Sequence, residues 1–289
     1  MTLIAILASL VLERLLDHVQ DLRRYERYQD YVEWTRQRLR GEPWEGALGV
    51  LTLLAPVILI TLLLQVGLED ALFGLLGLLF AVAVLVFCLG PRDLGHELGQ
   101  YREAYAAGNP ELATRLARGL MGFEPPAEPE LQARAVTEAV LVQANLRIFG
   151  VLFWFAVLGP VGAVLYRAAA ELRRLTWADN DEFAWAARQL TEILDWLPAR
   201  LTALGYALSG HFEAAVVRWR EATATGDRWR MPSSDVLAAA GTGALDLDVE
   251  IIDALAWDQA LQSAMSLVWR TLVLWVFVIA LLTLAGWAG

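Results

Sequence analysis

Long uncharged apolar runs recur along this chain, and their lengths set the first expectation. A helix needs about 20 apolar residues to cross a hydrocarbon layer of roughly 30 Å, and the uncharged runs 47–68, 71–91 and 271–289 are of that order, giving spans over 47–68, 71–91 and 269–288. The first two are separated only by Glu69 and Asp70, so they form a tight helical hairpin with an acidic tip. Pro56 kinks the first, which membrane helices tolerate when neighbours bond the freed carbonyl. Trp269, Trp275 and Trp287 stand near the ends of the last, at the headgroup level that indoles favour. Residues 2–16 form a shorter apolar helix. It lacks basic residues before it and a small-residue cleavage site after it, so it reads as a retained segment and not as a signal peptide.

Ile148 to Tyr166 is also uncharged, but Gly159-Pro160-Val161-Gly162 interrupts its centre. It is either a kinked span or a re-entrant hairpin whose arms meet at the break. Arginines are dense on residues 14–40, 92–147 and 167–230 and absent from the 69–70 tip. The positive-inside rule places all three dense stretches in the cytoplasm if 148–166 enters and leaves on one side, which favours the re-entrant form.

Between the apolar runs the spacing stays helical. Tyr25, Tyr28, Tyr31 and Trp34 recur every three residues in an interfacial or seam-forming helix. Leu94, Leu98, Tyr101 and Tyr105 make one stripe; Asn109-Pro110 starts a new helix as cap and first residue, and Leu112, Leu116 and Leu120 continue its apolar face. Pro125, Pro126 and Pro129 predict a loop over Phe123 to Glu130, followed by a helix from about Leu131 into the broken element. Asp179, Asn180, Asp181 and Glu182 cap a helix through Asp195, and Pro198 opens another to Gly210. Met231 to Asp258 holds six acids and no arginine, with Gly241 and Gly243 loosening it, and reads as a solvated connector. No strand alternation and no internal repeat is evident. The expectation is an all-α polytopic membrane protein of one domain, 1–289, with a re-entrant helical element and a helical cytoplasmic layer over 17–45, 92–147 and 167–267.

Composition sharpens this picture. With 57% hydrophobic and 19% charged residues the chain is neither disordered nor an ordinary soluble domain. All 23 Lys+Arg positions are arginine, so chemistries that need a lysine amine are absent, among them the P-loop, the Schiff base and the Ser-Lys hydrolase. Codon bias explains that composition more simply than function does. A net charge of −10 with scattered arginines argues against a nucleic-acid partner. The single cysteine, Cys88, excludes a disulfide framework and a thiolate metal site.

Chemical motifs are sparse. His18, His96 and His211 are not spaced as metal ligands. Ser209-Gly210-His211 lacks an orienting carboxylate, and Asp93, Glu97 and Glu103 suit the wet face of a helix better than a magnesium site. No phosphate-cradling glycine loop occurs. The sequence therefore predicts no catalytic residue, no metal and no cofactor. The informative charges are those the membrane makes costly: Arg147 and Arg167 bracket the broken element, and Arg200 opens an apolar stretch. Small residues such as Gly74 and Gly77 permit close helix packing, within one chain or in a homo-dimer.

Two long segments are distinctive: LFWFAVLGPVGAVLYRAAAEL from Leu152 to Leu172, and FAWAARQLTEILDWLPARLTALGYALSGHFEAAVVRW from Phe183 to Trp219. Together with the opening MTLIAILASLVLERLLDH, they resemble the AmpE branch of a bacterial membrane family that also includes adenosylcobinamide-phosphate synthase, CobD or CbiB. The synthases carry E-x-x-x-E-N-x-x-D-G before the LFW; this chain keeps Glu138 but has Val142, Gln143, Leu146 and Arg147 at the other positions. The synthase N-T-L-D becomes Ala170, Glu171, Leu172 and Arg173, its G-R-D-T becomes Gly122, Phe123, Glu124 and Pro125, and its paired aspartates become Thr191 and Glu192. Tyr166, Arg167, Trp185, Pro198 and Arg200 remain.

The resemblance implies an inner-membrane accessory or sensor protein linked to β-lactamase induction and muropeptide recycling, with an eroded synthase pocket that binds a muropeptide or nucleotide without converting it. The candidate ligand-binding residues are Glu138, Asn145, Arg147, Tyr166, Arg167, Trp185, Asp195 and Arg200. One alternative is a membrane enzyme with CobD-like amide-forming activity on another substrate. A second is a small-molecule transporter, suggested by a broken helix between two arginines.

Overall fold

The computed structural model describes residues 2–15, 26–38, 41, 44–69, 74–176, 181–224, 231–246 and 256–286. His18, Tyr25, Asp70, Asp179, Asn180 and Trp287 lie outside the described residues. Among those described, every regular element is helical. The chain divides into two compact units, one of residues 1–90, 150–195 and 279–289, the other of 91–149 and 196–278.

The first unit is built on α1 (Thr2–Leu15), α2 (Glu26–Arg38), α3 (Ala47–Leu68), α4 (Leu75–Cys88), α8 (Gly150–Leu158) and α9 (Pro160–Leu175), with the first half of α10 (Glu182–Ser209). At 1.5 Å per residue, α3 is about 33 Å long. One side of it, with Val50, Leu53 and Leu54, is buried, while Leu48, Leu51, Leu59, Ile60, Leu63 and Val66 are exposed. A helix apolar on all sides with six of its nine leucines exposed fits a lipid surround. By contrast, α4 is shorter than the expected 71–91 span: its 14 residues reach about 21 Å.

The broken element is a helical hairpin. Gly159 has a φ of 68°, a backbone conformation that disfavours side chains, and Pro160 then starts α9 at the first helical position, where no N–H is required. The arms pack antiparallel: Gly150 lies against the Tyr166 ring, and Gly162 against the Trp154 carbonyl. Of the two readings of 148–166, the geometry is that of a hairpin. Its tip is held by Gln65 of α3, whose Oε1 accepts from the Val161 N–H at 3.0 Å and whose Nε2 donates to the Leu158 carbonyl at 3.5 Å. Backbone groups exposed by a helix break inside an apolar layer need such a partner. The same α9 returns along α3, so that Ala168 and Leu172 share a buried cluster with Leu53 and Leu54.

The second unit contains α5 (Pro91–Ala106), α6 (Pro110–Met121), α7 (Pro129–Ala144), a π-helical turn (Asn145–Phe149), the second half of α10, α11 (Phe212–Ala224), α12 (Ser233–Ala244) and most of α13 (Ala256–Leu284). Asn109 caps α6 as expected, its Oδ1 accepting from the Leu112 N–H at 3.1 Å. Leu112 itself is exposed; Ala113, Ala117 and Leu120 form the buried face. Gln132 is a buried hub: it accepts from Tyr101 and donates to Thr114 and to the Pro126 carbonyl, which fixes the proline loop.

Three expectations change here. Pro198 does not open a helix; α10 runs through it from Glu182 to Ser209. A proline cannot donate to the carbonyl four residues earlier, and the vacant Leu194 carbonyl instead accepts from the Trp154 indole at 3.0 Å. Within the expected connector, residues 233–244 are not solvated, because α12 packs against α7 and α11 with Val236, Leu237 and Ala240 buried, while residues 247–255 lie outside the described residues. Gly241 and Gly243 do not loosen it: they let α12 approach Leu141 and the Ala214 backbone closely. The last helix starts at Ala256 and not near 269, because its first turn docks on α5: Arg102 makes two bonds to Asp258, at 2.5 and 2.9 Å, and Trp257 packs on Tyr105. Among the described residues, three helices are long and apolar enough to cross a membrane: Ala47–Leu68, Trp257–Leu284 and Pro129–Leu158. The last of these begins inside the region assigned to the cytoplasmic layer by sequence. The protein is an all-α membrane protein.

Candidate functional site

In the first unit the polar interior lies where α9 meets the first half of α10. Tyr166 and Asp195 are both buried, and the phenol donates to Asp195 Oδ1 at 2.5 Å. Arg167 and Arg173 are close enough to act on the charge of this pair. Thr191 donates to the Ala169 carbonyl, and Glu192 pairs with Arg173 at 3.4 Å. Of the sequence candidates, Tyr166, Arg167 and Asp195 are thus brought together. Trp185 is not part of this group: it is 60% exposed on the outer face of α10.

Towards the α2 side of the same unit, Tyr28 donates to the Ala168 carbonyl and Tyr31 to the Leu53 carbonyl. Burial, and behind it the Glu171 carboxylate, raise the Tyr28 hydroxyl above the ordinary tyrosine value. Glu171 is itself buried and bonded to Arg174. A cavity of about 260 Å³ opens nearby, lined by Thr35, Arg36, Trp44, Asp181 and Phe183. Arg36 bonds Asp181 there at 2.5 Å and lies over the Phe183 ring. None of the sequence candidates lines this cavity, and the scattered positions of its residues gave no local motif.

In the second unit, the π-helical turn organises the site. Such a turn widens the helix and leaves a carbonyl unpaired, and single π-turns often occur at functional sites. Here the Leu141 carbonyl accepts from Tyr206 at 2.8 Å, and the buried Asn145 accepts from Thr202 at 3.1 Å. Arg147 bonds Gln143 and, at 3.0 Å, Glu97. Glu138 is half-exposed in an ion pair with Arg134 one turn earlier. Arg200 turns back along its own helix, donating to the Trp196 carbonyl and stacking over the Trp196 ring at 4.4 Å. Thr202, Tyr206 and Gln132 were missed in sequence because a lone hydroxyl or amide on an apolar helix carries no spacing signal. No cluster of three or more histidine, cysteine or acidic side chains suited to a metal occurs among the described residues.

Comparison with known proteins agrees with this architecture. The CobD/Cbib protein family pattern matches residues 6–253, most of the chain. The chain belongs to the CobD/Cbib family. A cobalamin biosynthesis protein CobD from Chromobacterium violaceum is 36% identical over 74% of this chain and 65% of its own length. A second CobD, from Stutzerimonas stutzeri, is 32% identical over 84% of this chain and 80% of its own. Protein AmpE of Shigella flexneri is 27% identical over 55% of the chain and 60% of its own length. The AmpE likeness is therefore weaker than the family likeness that contains it. No solved structure matches.

Proposed function

We propose that this CobD/Cbib-family protein is a non-catalytic accessory or sensor of the bacterial inner membrane, with an AmpE-like role in β-lactamase induction and muropeptide recycling. One observation carries this reading. At positions where the synthase pattern has acids or amides, this chain has side chains whose polar groups bond within the chain. Gln143 and Arg147 bond each other, Arg147 reaches Glu97, Thr191 is bonded to α9 backbone, and Arg173 pairs with Glu192. These contacts stabilise helix packing and engage the polar groups at these positions within the chain.

The ligand class follows from charge. Arg167 beside the Tyr166–Asp195 pair suits an anionic molecule such as a muropeptide carboxylate or a nucleotide phosphate. Titration calorimetry of the detergent-solubilised protein with a muropeptide, and separately with a nucleotide, tests this. Saturable binding of one of them, weakened at least several-fold in Arg167→Ala, is expected. Absence of binding to the intact protein contradicts the sensor reading.

A second reading is supported by the relatives named CobD. Their identity and coverage exceed those of the AmpE protein, and they favour a membrane enzyme in cobalamin biosynthesis with amide-forming activity.

A further inference from the structure

We infer that the second half of α10 is embedded in the bilayer, with its leucine face, Leu197, Leu201, Leu204 and Leu208, packed against lipid acyl chains. The sequence placed this segment in the cytoplasmic layer with the arginine-dense stretch 167–230. Its packing within the second unit argues for the bilayer instead.

The opposite face of the helix is packed within the second unit. Gly205 lies against Thr271 and Trp275 of α13, with the Thr271 hydroxyl 3.5 Å from the Gly205 carbonyl. Thr202 bonds Asn145, Tyr206 bonds the Leu141 carbonyl, and the Phe149 ring packs on both Tyr206 and Trp275. Asn145 and Phe149 belong to the apolar helix Pro129–Leu158, and Thr271 and Trp275 to Trp257–Leu284, both of the length and composition of spans. Residues 202–206 therefore pack against two candidate spans, and the outer face of a helix so held shares their surroundings.

The outward face agrees. Leu197, Leu201, Leu204 and Leu208 follow a spacing of three and four residues, form one helical stripe and are all exposed. The stripe has the same character as the exposed face of α13, where Trp269, Val273 and Phe277 are uncovered. Water would make so long an uncovered leucine row unfavourable, and lipid does not. The polar residues of the segment are also arranged as lipid demands. Thr202 and Tyr206 turn inward to partners, and Arg200 lies along its own helix on the Trp196 carbonyl and ring. Interhelical hydroxyl and amide bonds are common between helices in membranes, and an arginine there bends towards polar groups.

Single-cysteine labelling of the full-length protein tests this, since Cys88 is the sole cysteine and Cys88→Ser gives a blank background. Leu201→Cys, Leu204→Cys and Leu208→Cys are placed on the exposed face, so folding is undisturbed; Val273→Cys serves as the lipid-facing reference and Glu111→Cys as the aqueous one. Each is treated with a membrane-impermeant maleimide and with a lipid-soluble maleimide, in native membranes and in nanodiscs. The inference expects the three α10 positions to follow Val273→Cys in both preparations: loss of labelling by the impermeant reagent and retained labelling by the lipid-soluble one. Labelling by the impermeant reagent in both preparations would overturn it in favour of water. Impermeant labelling in nanodiscs with protection in native membranes would overturn it in favour of a protein partner. Resistance to both reagents in both preparations would overturn it in favour of a second copy of the chain.

Discussion

Tyr166→Ala is expected to lower the stability of the protein by about 3–5 kcal/mol, the range for removing a buried aromatic ring. Tyr166 is fully buried and fills the space that Gly150 leaves, so alanine opens a cavity between the arms of the α8–α9 hairpin. The same change removes the donor to Asp195, a carboxylate that is also buried. Tyr166→Phe separates the two effects: it keeps the ring and loses the hydroxyl, and about 1–3 kcal/mol is expected from that loss alone. Thermal unfolding in detergent, followed by loss of the folded peak in size-exclusion chromatography, gives the order wild type, Phe, Ala. Equal melting of Phe and Ala would show that the hydroxyl, and not the ring, holds the hairpin.

Gly162→Ala is the second large effect, although it adds one methyl group. A Cβ at this position meets the Trp154 backbone carbonyl and the Leu158 side chain, and the backbone has no alternative rotamer to adopt. Relief requires the arms to separate, at a cost of about 1–3 kcal/mol or more. Gly119→Ala is the matched control. Gly119 is exposed within α6, and nothing lies within 4 Å of a Cβ there. Helix propensity then predicts a gain of up to about 1 kcal/mol. The two glycine-to-alanine changes therefore move the melting temperature in opposite directions, and a shared direction would contradict the hairpin packing.

How much of this was legible in sequence depended on what each segment buries. Residues 47–68 were readable because an unbroken apolar run has one interpretation at that length. The hairpin turn was readable from Gly159-Pro160, but its clip was not, since a single glutamine near the end of an apolar helix looks incidental. The second half of α10 was read as cytoplasmic because it lies in the arginine-dense stretch 167–230, whereas its own Arg200 bonds back along the helix and leaves the leucine face uninterrupted. α12 was read as solvated for a different reason. Beside Val236 and Leu237 its core contacts come from Ala240, Gly241, Gly243 and Ala244, residues too small to register as a buried face, and nearby acids made it look solvated. Pro198 misled for a specific reason: the indole that replaces its missing hydrogen bond comes from Trp154, which is distant in sequence.

The candidate residues divided along similar lines. Tyr166, Arg167 and Asp195 were recoverable because two sequence motifs converge on them. Trp185 was not distinguishable from them by motif, yet it faces outward. The replaced synthase positions were visible in sequence, but only the structure shows that Gln143, Arg147, Thr191 and Glu192 have taken up packing bonds of their own.

The central claim, that the family site is present in outline but no longer catalytic, is tested most directly by complementation. The chain is expressed in a bacterium lacking its own CobD, its insertion is verified by membrane fractionation, and growth is measured on a medium that demands newly made cobalamin. The account predicts no growth despite normal insertion. Growth restored to the level given by a functional CobD would contradict it and assign this protein the amide-forming activity of the second reading.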